Sequence, residues 1–203
     1  MSHPRLLAKI FKAKKATNDN MAKDKAGEKV EAFEARYARE RIIASDNKLA
    51  KDLYEQSRFG EPQEDKIQYA LVEALYLVEK GKIIIKDEKG KAVSNDEFIR
   101  LARKVEPNFW IRYCAYKDMR NRGYIVKTAL KFGADFRVYD RGIKPGEDHA
   151  KWVLFPVHEG EMLSWYSFSA MNRVAHSTRK RLLVAVVDDE NDVTYYTIVW
   201  TRP

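Results

Sequence analysis

Gly123-Tyr124-Ile125-Val126-Lys127-Thr128-Ala129-Leu130-Lys131-Phe132-Gly133-Ala134-Asp135-Phe136-Arg137-Val138-Tyr139 is where the chain changes texture. Upstream of it, apolar residues recur at helical spacing. From it onward they gather into short runs, at 124–126 and 135–139 and again at 151–157, 182–187 and 193–200, rich in the β-branched and aromatic side chains that strands favour. A helical pattern over 168–180 separates the third run from the fourth. This half therefore reads as an α+β unit, a mixed sheet flanked by helices.

Working back from Gly123, which suits a helix terminator, residues 108–122 carry Trp110, Tyr113, Cys114 and Lys117 along one side of a helix. Pro107 ends the helix before it, 95–105, whose start is marked by Ser94 and Glu97 at capping-box spacing. The boundary between two domains is placed at Pro107. Further back, Leu71, Leu75 and Val78 give a helix over 69–80, closed by Gly81 and followed by a strand at Ile83, Ile84 and Ile85. Gly60 and Pro62 punctuate. A strand over 39–45 precedes a helix over 47–56, with Asp46 as its N-cap. The expectation is two small mixed α/β domains, 29–106 and 107–203, behind a basic arm at 1–28 too poor in apolar residues to fold alone.

Composition narrows the function. A net charge of +8 and a pI near 9.4 suit a polyanionic partner, because a basic surface gains free energy by releasing counterions from phosphates. Charge alone does not separate RNA from DNA. No run approaches the ~20 apolar residues of a membrane span, so the expected location is cytoplasmic. The one cysteine, Cys114, cannot make an internal disulfide and reads as a small core residue of a reducing compartment.

A Walker loop, a dinucleotide glycine fingerprint, a His-Glu-x-x-His helix and a Gly-x-Ser-x-Gly elbow are all missing. Carboxylates in the second half cluster at Glu147 with Asp148 and at Asp188, Asp189, Glu190 and Asp192, without the lysine spacing of a magnesium-dependent DNA nuclease. Cleaving RNA without metal requires a base for the ribose 2′-hydroxyl, an acid for the departing 5′-oxygen and a cation for the charge gathering at phosphorus. Tyr139, His149 and Lys180 are side chains of the right types. Taken singly, they read as a half-buried aromatic, a solvated loop histidine and a surface cation.

Together with Gly123 to Tyr139, the stretch Arg173-Val174-Ala175-His176-Ser177-Thr178-Arg179-Lys180 closely resembles the C-terminal domain of the archaeal tRNA intron endonucleases. Leu71-Val72-Glu73-Ala74-Leu75-Tyr76-Leu77 and Tyr116-Lys117-Asp118-Met119-Arg120-Asn121-Arg122-Gly123 extend the likeness into the first half. The resemblance implies a nuclease-like second domain that excises introns from precursor tRNA at bulge-helix-bulge sites. It assigns Tyr139 to the 2′-hydroxyl, His149 to the leaving oxygen and Lys180 to the phosphorane, with no metal and no cofactor. Lys180 is expected to lower the pKa of Tyr139.

For substrate capture the resemblance puts Arg173 against a bulged base. Trp200 and Arg202 are candidates for the second clamp. Asp188, Asp189, Glu190 and Asp192 match a loop that docks into a basic groove of an opposing dimer. The terminal strand, which alternates poorly, is expected to be buried between subunits. The implied assembly is a homotetramer, with a heterotetramer containing a noncatalytic paralogue as the alternative. A nonenzymatic RNA-binding relative and a DNA junction nuclease are the other readings. His176 is taken as packing or capping, and His3 and His158 as surface residues.

Overall fold

The computed structural model describes residues 31–45 and 47–201. The basic arm, His3, Asp46 and Arg202 lie outside the described residues. The fold is α+β, with two five-stranded sheets.

The first sheet opens with a hairpin of β1 (Phe33–Ala38) and β2 (Arg41–Ser45), turned at Arg39 with φ 56. Helix α1 (Lys48–Ser57) follows, capped by Asn47, whose side chain accepts from the Ala50 N–H at 3.0 Å. Asn47, expected inside the helix, is thus its cap. Two strands absent from the sequence reading come next, β3 (Glu61–Gln63) and β4 (Lys66–Ala70), and they claim Tyr69 from the start of the expected helix. Gly60 turns the chain into them at φ 73, where a Cβ would stand 2.5 Å from Ile67 Cγ2. Helix α2 (Leu71–Glu79), β5 (Ile83–Lys86) and α3 (Asn95–Val105) complete the half. Strand order is β3-β4-β2-β1-β5, with β5 parallel to β1.

Helix α4 (Phe109–Asn121) leads into the second sheet. Its strands are β6 (Ile125–Thr128), β7 (Phe136–Tyr139), β8 (Trp152–His158), β9 (Arg181–Val187) and β10 (Val193–Ile198), in the order β10-β9-β8-β7-β6. Strands β8 and β9 run parallel and are joined through α5 (Trp165–Ser177), as a parallel pair requires a crossover. The period of two divides the side chains between two layers. Val126, Phe136, Val138, Leu154 and Leu183 join a core with α4 and the first half, while Val153, Phe155, Leu182 and Val184 pack with Ala175 of α5.

Lys127 and Glu73 tie the two sheets together. The Lys127 ammonium, only 6% exposed, donates to the carbonyls of Arg58 (3.1 Å) and Gly60 (2.6 Å) and to Glu73 Oε1 (3.4 Å). The other Glu73 oxygen accepts from the Ala70 N–H at the start of α2. All three ammonium protons are matched. A second bridge has Arg112 of α4 reaching Glu106 and, at 2.8 Å, Asp135. Among the described residues no helix is long and apolar enough to cross a membrane.

Removing one partner of a buried pair strands the other's charge. Lys127→Met is therefore expected to lower the urea-unfolding free energy by about 3–5 kcal/mol. Adding Glu73→Leu should recover only part of that loss, because the Arg58 and Gly60 carbonyls stay unpaired.

Candidate active site at one end of the second sheet

Strand register brings two of the three candidate catalytic residues into one row. Tyr139 ends β7, opposite Ile125. The Lys151 N–H donates to Val138 O at 2.9 Å, and the Lys151 carbonyl accepts from the Arg181 N–H at 3.0 Å. Val138 pairs with Trp152, and Trp152 with Arg181, so Tyr139, Lys151 and Lys180 occupy neighbouring positions across β7, β8 and β9. With strands ~4.8 Å apart, the Tyr139 and Lys180 backbones are separated by about 10 Å. Val138 and Trp152 face the core beneath α4, and Leu182 packs with Ala175 of α5, which puts the row on the α5 side of the sheet.

Lys180 reaches this row because α5 ends sooner than its sequence pattern suggests. The helix was expected over 168–180 but runs Trp165–Ser177, starting at the Ser164 cap. The Thr178 hydroxyl donates to Val174 O at 2.7 Å, Arg179 turns left-handed at φ 55, and Lys180 closes the turn by donating its N–H to Ala175 O. Its ammonium donates to the Thr178 carbonyl at 2.9 Å.

His149 rides on the loop 140–151, which leaves β7 directly after Tyr139 and returns at β8. Short-range bonds shape this loop. The Lys144 N–H donates to Glu147 Oε2, the Glu147 N–H to Lys144 O and the His149 N–H to Asp148 Oδ1. Gly142 and Gly146 take φ 81 and 98 there.

The electrostatics correct one expectation. Tyr139 is 4% exposed, and burial pushes its phenol above the ordinary value, with Arg137, whose guanidinium lies over the ring, pulling weakly the other way. Lys180 is not among the groups that set it. The phenol is thus protonated at neutral pH and suited to hydrogen bonding rather than to acting as a free base.

The candidate RNA contacts lie along α5. Arg173 sits over the Tyr166 ring, and His176, one turn further on, packs its ring 5.4 Å from Trp200. Arg173 and Trp200 therefore share one side of the helix. Trp200 is 61% exposed, and Tyr196 on the edge strand β10 is 57% exposed. Burial along β10 alternates only over its first four residues, with Val193 and Tyr195 packing inward, and the pattern breaks at the exposed Thr197.

The acidic loop lies at the opposite end of β9, roughly 26 Å from Lys180 at ~3.3 Å per strand residue. Asp188 turns inward to accept from the Glu190 and Asp192 N–H groups, and Asp189 pairs with His158 at 3.1 Å. Asn191, at φ 69, accepts from the Trp110 indole N–H at 2.5 Å and so anchors the loop to α4. That anchor escaped the sequence reading, because no local pattern joins positions 110 and 191. A separate groove of about 510 Å³ is lined by Arg41, Gln68, Glu73, Arg112, Lys131 and by Arg137, whose guanidinium lies over the Tyr139 ring.

Residues 109–195 match the family described as tRNA intron endonuclease, catalytic C-terminal domain, and residues 33–99 match tRNA intron endonuclease, N-terminal domain. The chain is 43% identical over 172 residues to the tRNA-splicing endonuclease of Thermococcus onnurineus, covering 85% of this chain and 98% of that one. It is 44% identical over 156 residues to that of Methanothermobacter thermautotrophicus (76% and 89%) and 43% identical over 145 residues to that of Nanoarchaeum equitans (68% and 92%).

Because burial raises the phenol and Arg137 opposes it, the ultraviolet difference titration between the wild type and Tyr139→Phe should show phenolate forming only above pH ~10. In an Arg137→Met background the same titration should move further up.

Proposed function

The chain belongs to the tRNA intron endonuclease family, and on that premise we propose that it is a tRNA-splicing endonuclease cutting precursor tRNA at bulge-helix-bulge sites by metal-independent transesterification. The observation that carries this reading is the shared end of the second sheet, where Tyr139 and Lys180 stand in one row and the loop bearing His149 begins and ends.

In the proposed mechanism the ribose 2′-oxygen attacks phosphorus while the bond from phosphorus to the 5′-oxygen breaks. The protonated His149 imidazole gives its proton to the departing 5′-oxygen. The Lys180 ammonium swings from the Thr178 carbonyl to the equatorial phosphate oxygens, where negative charge accumulates. Tyr139, its phenol protonated, holds the 2′-hydroxyl in line, and the 2′-proton leaves to water. The products are a 2′,3′-cyclic phosphate and a 5′-hydroxyl.

Bulged nucleotides can be splayed out and stacked without melting a helix, so shape is read ahead of sequence. Arg173 and Trp200, on one side of α5, are the proposed clamp for a bulged base. An intron has two ends while one chain carries one such set of residues, so the working enzyme is proposed to be a homotetramer. Among the described residues the outer edge of β10 is unpaired, and this edge, with the exposed Tyr196 on it and Trp200 just beyond it, supports self-association. Glu190 and Asp192, which the hairpin leaves exposed beside Asp189, are the proposed docking carboxylates of the acidic loop.

The test is to incubate the purified chain with a bulge-helix-bulge RNA in EDTA and to identify the product ends. Expected are cyclic phosphate and 5′-hydroxyl ends, a native mass of four 23.7 kDa chains, and in Lys180→Ala unchanged RNA binding with cleavage slowed by about 10²–10³-fold. Cleavage abolished by EDTA, or 3′-hydroxyl and 5′-phosphate ends, would refute the mechanism. Activity appearing only after addition of a paralogue would replace the homotetramer with a heterotetramer.

A further inference from the structure

The proposed acid, His149, is held by very little. Among the described residues its ring makes no hydrogen bond and no ion pair, so its position depends on the backbone of the loop 140–151. Between His149 and Lys151 stands only Ala150, which is buried. Two residues of extended chain span at most about 7 Å, so fixing Lys151 confines His149 to a small volume.

Lys151 is fixed from three directions. Its N–H and carbonyl bind Val138 and Arg181, the neighbours of Tyr139 and Lys180. Its ammonium reaches across the root of the loop to the carboxylate of Asp140, the residue directly after Tyr139. The other Asp140 oxygen accepts from the Arg141 N–H at 3.0 Å, and Lys151 and the Arg141 N–H between them hold that carboxyl below the usual carboxylate range. Beside this contact the Arg141 guanidinium lies 4.9 Å over the Tyr124 ring, which meets Trp152 edge-on at 6.0 Å. Both residues of the ion pair are partly solvent-exposed, and such a pair adds little to stability. What it does constrain is the loop that carries the imidazole, closing it where it leaves and re-enters the sheet.

We propose that the Asp140–Lys151 ion pair is a clasp at the root of the loop 140–151 that positions His149 for proton transfer to the leaving oxygen, making Asp140 and Lys151 positioning residues of the reaction. The clasp rests on the reading of His149 as the acid. It acts on the geometry of one side chain and leaves RNA capture to other surfaces.

Single-turnover cleavage of a bulge-helix-bulge RNA by the full chain tests this, with affinity measured separately on an RNA carrying a 2′-deoxy sugar at the cleavage site. Asp140→Asn and Lys151→Met should each slow cleavage by about 10- to 100-fold, as a displacement near 1 Å does. Their affinity for the deoxy RNA and their thermal midpoints should match the wild type. In a His149→Ala background, Lys151→Met should add no further loss, because the side chain it positions is gone. The clasp is overturned by wild-type rates in both single variants, by a lowered thermal midpoint that accounts for the slower cleavage, or by a Lys151→Met penalty that persists in full on top of His149→Ala, which would put Lys151 on the phosphate itself. Wild-type cleavage by His149→Ala alone would remove the acid assignment, and with it the clasp.

Discussion

Lys127 gives its three protons to two backbone carbonyls and one carboxylate of the first half of the chain, from a position with almost no access to water. Much of the geometry follows from that contact. The neighbouring Val126 faces the core under α4, so Lys127 must face away from it, and a register slip of one residue would drive a charge into that core. Strand β6 is thereby held in one register against the turn at Gly60 and the start of α2. Because β6 pairs with β7, with Ile125 opposite Tyr139, the same contact fixes where β7 ends and where the loop bearing His149 begins.

The parallel pairing of β8 and β9 supplies the rest of the site. A parallel neighbour returns only through a crossover, and α5 makes that return and ends just short of the sheet. The left-handed turn at Arg179 then delivers Lys180 beside the start of β8. The second sheet has two distinct ends as a consequence. One carries the phenol, the loop imidazole and the ammonium, and the other carries the acidic hairpin anchored by Asn191 to Trp110. The proposed catalytic row and the proposed docking hairpin occupy opposite ends of the same strand, so changes in the hairpin need not disturb the row.

Where the sequence was legible, the signal was local. The α2, α3 and α4 helices follow from their apolar spacing, and the Ser94 side chain accepts from the Glu97 N–H as the capping pattern requires. Strand β3, with three exposed residues around Pro62, carries no apolar period to read. Strand β1 stands next to the polar arm, and its Phe33 and Ala35 face the core without a long enough run to announce it. Asp46 and Asn47 are adjacent residues with equal capping chemistry, and the side-chain bond to the Ala50 N–H singles out Asn47. At the candidate site, residue types and a family likeness named Tyr139, His149 and Lys180, whereas the row itself depends on register between distant strands. The direction of the Tyr139 shift was misjudged for a related reason, since burial cannot be read from residue type.

In the proposed mechanism one phosphodiester is served jointly by side chains from the end of β7, the following loop and the start of β9. The most direct measurement is a crystal structure of the chain with an RNA made uncleavable by a 2′-deoxy sugar at the splice site. The scissile phosphate should lie within hydrogen-bonding reach, ~3 Å, of both the His149 imidazole and the Lys180 ammonium, with the Tyr139 hydroxyl beside the sugar. A phosphate bound away from this end of the sheet, or touching only one of the three groups, would contradict that mechanism.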